Sequence, residues 1–79
     1  MPRRAIDSCL MVLEYFKQRG MQTCSFADMN LTIEQLIGAD PRIAVRYLAL
    51  LQKWGLIGPA LSKPGEWALN FDKAYELNV

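Results

Sequence analysis

The dipeptide Asp40-Pro41 and a glycine at position 55 mark the two ends of one helix, and no other feature constrains the fold as strongly. Aspartate is a good N-cap, and proline at the first helical position loses no hydrogen bond because that N–H has no partner in a helix. Glycine after the last turn adopts the left-handed conformation that ends many helices. The sequence therefore predicts a helix from Pro41 to Trp54.

This predicted helix has two chemically different faces. Apolar residues at helical spacing form the side expected to face the core, namely Ile43, Tyr47, Leu50, Leu51 and Trp54, with Ala44 and Leu48 at its margin. Arg42, Arg46 and Lys53 fall within a narrow arc on the other side, which we call the basic face. Ala49 lies between them, and Val45 flanks the arc. The helix contains no acidic residue.

Glycine and proline divide the rest of the chain into short elements. We expect a first helix from Arg3 to Arg19, ended by Gly20, and a short β-like segment over residues 22–26. The buried stripe of the first helix is predicted to contain Ala5, Ile6, Cys9, Leu10, Val12, Leu13 and Phe16.

A short second helix is predicted over residues 33–37. Thr32 and Gln35 have the spacing of a capping box, and Leu31 and Leu36 have that of a hydrophobic staple. Gly38 is expected to end the helix in the left-handed conformation. Residues 32–54 thus have the pattern of a helix-turn-helix.

A β-hairpin is predicted after the third helix. Residues 56–61 and 67–70 are strand-like, and Pro59 restricts the first strand to the edge of a sheet. Pro64-Gly65 between them is typical of a type II turn. The tail over residues 71–79 either forms a short helix or extends onto a partner.

The order of helix, strand, helix, turn, helix and hairpin resembles the winged helix-turn-helix family. The segments that carry the resemblance are LTIEQLIGADPRIAVRYLALLQKWGLI and KPGEWALN, and it covers about residues 5–70. It implies a mainly α (α+β) domain of three helices plus a short C-terminal hairpin, the wing. We expect a single domain over 1–79, with the helix-turn-helix at about 32–54 and the wing at about 56–70. Domains of this family bind double-stranded DNA, and some serve instead in protein–protein interaction.

The basic face predicts contacts to duplex DNA. An arginine fork fits the N7 and O6 atoms of guanine in the major groove, and Arg42 and Arg46 are near the helix N-terminus, where recognition helices meet bases. Val45 and Ala49 are small enough for a close approach and can touch a thymine methyl group. Lys53 is expected to meet phosphate. The alternatives are a solvated helix face and a docking surface for an acidic protein.

Four further residues are candidates for DNA contact. Thr32, at the predicted start of the second helix, either contacts phosphate or only caps the helix. Lys63 matches the tip of the wing, although Glu66 is nearby and a lysine on a turn is often only solvated. Arg3 and Arg4 resemble a basic N-terminal arm, or are simply charges at a chain terminus.

A net charge of +1 means that any DNA binding must come from a local patch. Few basic contacts imply weak binding by a single copy, so we expect a small transcriptional regulator that acts as a homodimer. Exposed apolar candidates for the dimer contact are Met11, Tyr15, Phe71, Tyr75 and Leu77. Met11 and Tyr15 are otherwise ordinary exposed residues, and Trp67 and Phe71 otherwise close the core under the hairpin. The competing hypothesis is a protein-binding subunit or inhibitor, for example phage- or plasmid-encoded, that does not bind DNA.

The sequence gives no sign of catalysis. It has no histidine, no phosphate-binding glycine loop and no nucleophile motif, so we expect no enzyme activity, no cofactor and no metal site. Cys9 and Cys24 are expected to be reduced core residues. With no signal peptide or membrane-length apolar segment evident, we expect a cytoplasmic protein with no membrane contact.

Overall fold

The structure, a computed structural model, describes residues 4–77 as an α+β domain with four helices and a three-stranded antiparallel sheet. The elements in chain order are α1 (Ala5–Gln18), β1 (Thr23–Ser25), α2 (Phe26–Leu36), α3 (Pro41–Lys53), β2 (Ile57–Pro59), β3 (Glu66–Leu69) and α4 (Phe71–Leu77). The α+β class is confirmed. The expected count of three helices is wrong, because the tail forms α4 within the described residues.

The sheet has the order β1-β3-β2, so the central strand is β3. Cys24 of β1 and Pro59 of β2 both lie opposite Trp67 of β3, on its two sides. Pro59 therefore lies on an edge strand, as predicted. The turn before β3 also agrees with the prediction, because Gly65 has a φ of +81° and the Glu66 N–H donates to the Lys63 carbonyl over 3.2 Å.

The predicted start of α2 is wrong. Ser25 is the N-cap, and its hydroxyl accepts a hydrogen bond from the Asp28 N–H at 3.0 Å. Thr32 lies inside the helix, is only 4% exposed, and donates from Oγ1 to the Asp28 carbonyl at 2.8 Å. The capping-box spacing at Thr32 is thus a coincidence within a longer helix, and Leu31 and Leu36 form no staple at its start.

The predicted left-handed end at Gly38 is also wrong. In the described residues, positive φ angles occur at Gly20, Gly55 and Gly65. Gly38 instead allows a close approach, because a Cβ atom there would lie 2.6 Å from the Cδ1 atom of Ile43. A side chain at this position would require the end of the Ile43 side chain to move.

The ends of α3 are as predicted. The Asp40 carboxylate accepts from the Arg42 N–H at 2.9 Å, and Pro41 occupies the first turn. Gly55 has a φ of +72° just after the helix. Local capping alone therefore fixes where this helix begins and ends.

The core lies between α1, α2, α3 and the sheet, and α4 packs on α1. Its buried apolar residues are Cys9, Val12, Leu13, Phe16, Cys24, Met29, Ile33, Leu51, Leu56 and Ile57. Both cysteines are unpaired, and burial raises the pKa of each thiol to about 11. In the described range, no helix combines the length and apolar character needed to cross a membrane.

Candidate nucleic-acid interface

The orientation of α3 is set by its apolar side. Leu51 is completely buried, and Ile43, Tyr47 and Leu50 pack against the core as half-buried residues. This arrangement turns the opposite side of the helix to solvent. The residues predicted for DNA contact on α3 are all exposed there, namely Arg42, Val45, Arg46, Ala49 and Lys53.

The side chain of Arg42 folds back onto the cap of its own helix. Its Nη2 atom lies 2.9 Å from Oδ2 of Asp40, and its Nε donates to Oδ1 at 3.3 Å. This pairing lowers the pKa of Asp40 through the side-chain hydrogen bond first and the backbone hydrogen bond second. It raises the pKa of Arg42. The charge of Arg42 is therefore locally balanced, which the sequence analysis missed because it treated Asp40 only as a cap.

Arg46 and Lys53 differ from Arg42 in this respect. Within residues 4–77, neither side chain forms an ion pair or a side-chain hydrogen bond. Both are exposed, so they are the two uncompensated positive charges of the basic face. Lys53 is in the last turn, where a cation also interacts favourably with the helix dipole.

An apolar surface lies beside the two arginines. Val45 is 70% exposed, and with Pro41, Arg42 and Arg46 it lines a shallow depression of about 320 Å³. Because Val45 is so exposed, its side chain adds little to the hydrophobic stabilisation of the core. The depression can accept a small apolar group beside the basic face.

The loop between β2 and β3 carries one residue that is not among the sequence-predicted candidates. Leu61, in the loop after β2, is 98% exposed, and Lys63 follows it at the start of the type II turn. The sequence predicts a strand that ends at Leu61, whereas β2 ends at Pro59. A predicted strand that ended at Pro59 would have left Leu61 in the loop, two residues from Lys63.

The remaining candidates for DNA contact do not join the basic face. Thr32 is buried and its hydroxyl is used inside α2, so its predicted place at a helix N-terminus is wrong. Arg4 binds the Asp7 carboxylate through Nε and Nη2, at 3.1 and 3.0 Å. Arg3 lies outside the described residues.

The predicted dimer-contact residues also separate. Phe71 and Leu77 are half-buried against the core, as is Trp67, so closure of the core under the hairpin is confirmed. Tyr15 is half-buried and lies under the guanidinium of Arg19, 4.3 Å from its ring centroid. Tyr75 is 76% exposed.

Among residues 4–77, no three His, Cys, Asp or Glu side chains cluster closely enough to hold a metal ion. Comparison with protein-family models, with curated proteins and with solved structures gave no significant match to the chain. The geometry of the site therefore carries the functional argument by itself.

Proposed function

We propose that the protein is a winged helix-turn-helix domain that binds double-stranded DNA through the basic face of α3 and acts as a small transcriptional regulator. The order of its elements supports this proposal. A four-residue turn joins α2 to α3, and the β2–β3 hairpin follows α3 directly. In addition, β1 pairs with β3, which ties the segment between the first two helices to the hairpin.

The observation that carries the proposal is the sign of the charge on the outer side of α3. Arg46 and Lys53 are exposed and uncompensated, and the helix contains no acidic residue. Solvated helix faces commonly mix charges of both signs, because pairs of opposite charge spaced four residues apart stabilise the helix. A face that meets phosphate excludes carboxylates, since each one would repel the DNA backbone.

Each residue has a distinct role in this proposal. Arg46 contacts guanine in the major groove, and the adjacent Val45 contacts a thymine methyl group. Lys53, in the last turn of α3, contacts phosphate. Arg42 must give up its ion pair with Asp40 before it binds a DNA phosphate, so it contributes less to DNA affinity than Arg46.

The alternative function is docking onto an acidic protein. The apolar depression at Val45 favours this alternative, because an apolar side chain of a protein partner would fit into it beside the two arginines. Such a partner would use the same α3 residues without any affinity for DNA. Substitutions in α3 would impair either function, so a DNA titration is what distinguishes the two.

The test is a fluorescence-anisotropy titration of a labelled duplex of mixed sequence at low and at high salt. The wild-type protein should bind at low salt and more weakly at high salt, because binding releases counterions from the DNA. The double variant R46A/K53A should lose most of this binding. The matched control R19A/K73A also removes one arginine and one lysine, from outside α3, and should bind nearly as the wild type does.

Two results would contradict the proposal. One is the absence of binding at low salt even at high protein concentration, which would favour the protein-docking alternative. The other is an equal loss of binding in R46A/K53A and R19A/K73A, which would mean that the duplex responds to total charge and not to α3.

A further inference from the structure

The depression beside Val45 combines an apolar surface with positive charge. Its lining, from Pro41, Arg42, Val45 and Arg46, is almost wholly apolar, although two of these four residues carry a guanidinium group. Val45 is 70% exposed and adds little to the core, so the stability of the fold does not explain an apolar residue here. The depression therefore suits an apolar group that is carried by an anionic partner.

The larger groove between α1 and α4, which we call the α1–α4 groove, lacks this combination. Its lining residues lie between positions 7 and 17 of α1 and between positions 71 and 75 of α4, and its volume is about 420 Å³. Asp7, Glu14 and Lys17 lie along it. Charges of both signs favour neither an anion nor a cation, so charge complementarity selects a partner only for the depression on α3.

Duplex DNA presents a matching apolar group in its major groove. The methyl group on C5 of thymine is the apolar feature of the base edges there. 5-Methylcytosine carries a methyl group on the same C5 atom, whereas uracil and unmodified cytosine carry hydrogen. These four pyrimidines therefore differ in the group at C5 and, independently, in the oxygen or amino group at C4.

The side chains around the depression are suited to the methyl group and not to the group at C4. The amino group of cytosine is recognised by a carboxylate, and the oxygen of thymine by a donor. Both kinds of group are present at the start of α3, but the Asp40 carboxylate and the Arg42 fork bind each other. Arg46 has no such partner, and its fork fits the N7 and O6 atoms of guanine.

We propose that α3 recognises a 5-methylpyrimidine next to a guanine, so that 5-methylcytosine can replace thymine in its site and cytosine methylation strengthens binding. Val45 contacts the methyl group, and Arg46, which lines the same depression, binds the neighbouring guanine. Successive bases lie about 3.4 Å apart, so both contacts fit on this short stretch of helix. The inference rests on the proposed DNA binding and adds the chemical class of base that the protein selects.

The test begins with selection, from duplexes with a random centre, of those that the wild-type protein binds most tightly. Thymine beside guanine should be enriched. One selected duplex is then synthesised with thymine, uracil, 5-methylcytosine or cytosine at that position, each opposite its complementary base. Fluorescence anisotropy should show about fourfold tighter binding of thymine than of uracil, and a similar gain for 5-methylcytosine over cytosine, because one buried group of this size has about this value.

Two variants show whether Val45 is the source of the methyl gains. Val45→Ala should reduce both gains to less than about twofold, because it removes most of the surface that the methyl group contacts. The core stays intact in this variant, since Val45 is exposed. The matched control Lys53→Ala, in the last turn of the same helix, should weaken all four duplexes alike and preserve both gains.

Several results would overturn this inference and leave the proposed DNA binding intact. They are a selection that enriches no thymine beside guanine, equal affinity for all four duplexes, a gain for thymine without one for 5-methylcytosine, and a Val45→Ala variant that retains both gains. Absence of binding to any duplex at low salt would overturn both proposals. It would favour an apolar side chain of an acidic protein as the group that fills the depression.

Discussion

The basic face of α3 and the α1–α4 groove are both exposed helical surfaces, but they differ in charge and in shape. The basic face has a shallow depression beside Val45 and carries Arg46 and Lys53 with no acidic residue of α3. The groove is more enclosed and has both polar and apolar lining, and Asp7, Glu14 and Lys17 lie along it. A charge of one sign suits a polyanion, whereas the mixed charges of the groove give it no such preference.

The difference shows how a chain of nearly neutral net charge can have a specialised surface. A net charge of +1 does not indicate any partner. The distribution of the charges is more informative, since carboxylates are absent from α3 and present on α1. The two surfaces share one core, and this leads to the first two predictions.

The largest effect is expected from the core residue that holds α3 in place. Leu51 is fully buried, so Leu51→Ala should lower the free energy of unfolding by about 2–5 kcal/mol, through lost burial and the cavity that remains. Urea denaturation followed by circular dichroism measures this loss. Leu61→Ala at the exposed wing should change the unfolding free energy by less than about 0.5 kcal/mol. Equal effects of the two variants would contradict the role of Leu51 in packing α3 against the core.

The buried thiols make the shared core sensitive to high pH. The pKa of Cys9 and of Cys24 rises from 9.0 to about 11 on folding, chiefly through burial. The unfolded chain then releases these protons first, so stability is fully present below pH 9 and falls as the pH rises toward 11. Urea denaturation over this pH range measures the loss. Replacing both cysteines with alanine should flatten the alkaline dependence, and an unchanged dependence would contradict this origin.

The two surfaces should separate in the response to Arg46→Ala. This variant is expected to weaken binding to a preferred duplex by roughly 5- to 150-fold, the range of one bidentate arginine–guanine contact. Arg42→Ala should cost less, because Arg42 is already paired with Asp40. Neither substitution should alter the sedimentation of the protein without DNA. A larger loss for Arg42→Ala than for Arg46→Ala, measured by anisotropy, would contradict the assigned roles.

The smallest effect is expected at the cap of α3. Asp40→Asn keeps a good N-cap and releases Arg42, so binding to duplex DNA should tighten and its salt dependence should steepen by about 0.9 in the log–log slope. Glu76→Gln is the matched control. It releases Lys73 from an exposed ion pair on α4, and it should leave the slope unchanged. Weaker binding by Asp40→Asn would indicate that the carboxylate positions Arg42 for DNA.

Local signals predicted α3 well and failed for α2. Asp40, Pro41 and Gly55 act within one helix turn of themselves, so sequence alone placed both ends of α3. In α2 two cap patterns compete, at Ser25 and at Thr32, and only packing decides between them. Met29 and Ile33 are both buried on one side of α2, so the helix begins well before Thr32 and turns Thr32 inward.

Pairings between distant residues were also beyond the sequence analysis. The three residues of β1 form a strand because β3 lies beside them, more than forty residues later in the chain. The basic face was predicted correctly as an exposed arc, since helical spacing determines it. The ion pair of Arg42 with Asp40 was missed because it depends on the side-chain orientation at the cap.

The most direct test of which surface binds DNA is amide chemical-shift mapping by NMR. Addition of a duplex should shift amides of α3, around Val45 and Arg46, and of the wing near Lys63. Amides beside the α1–α4 groove, near Met11 and Tyr75, should stay unchanged. If the duplex shifts the groove residues and leaves α3 unchanged, the assignment of the two surfaces is contradicted.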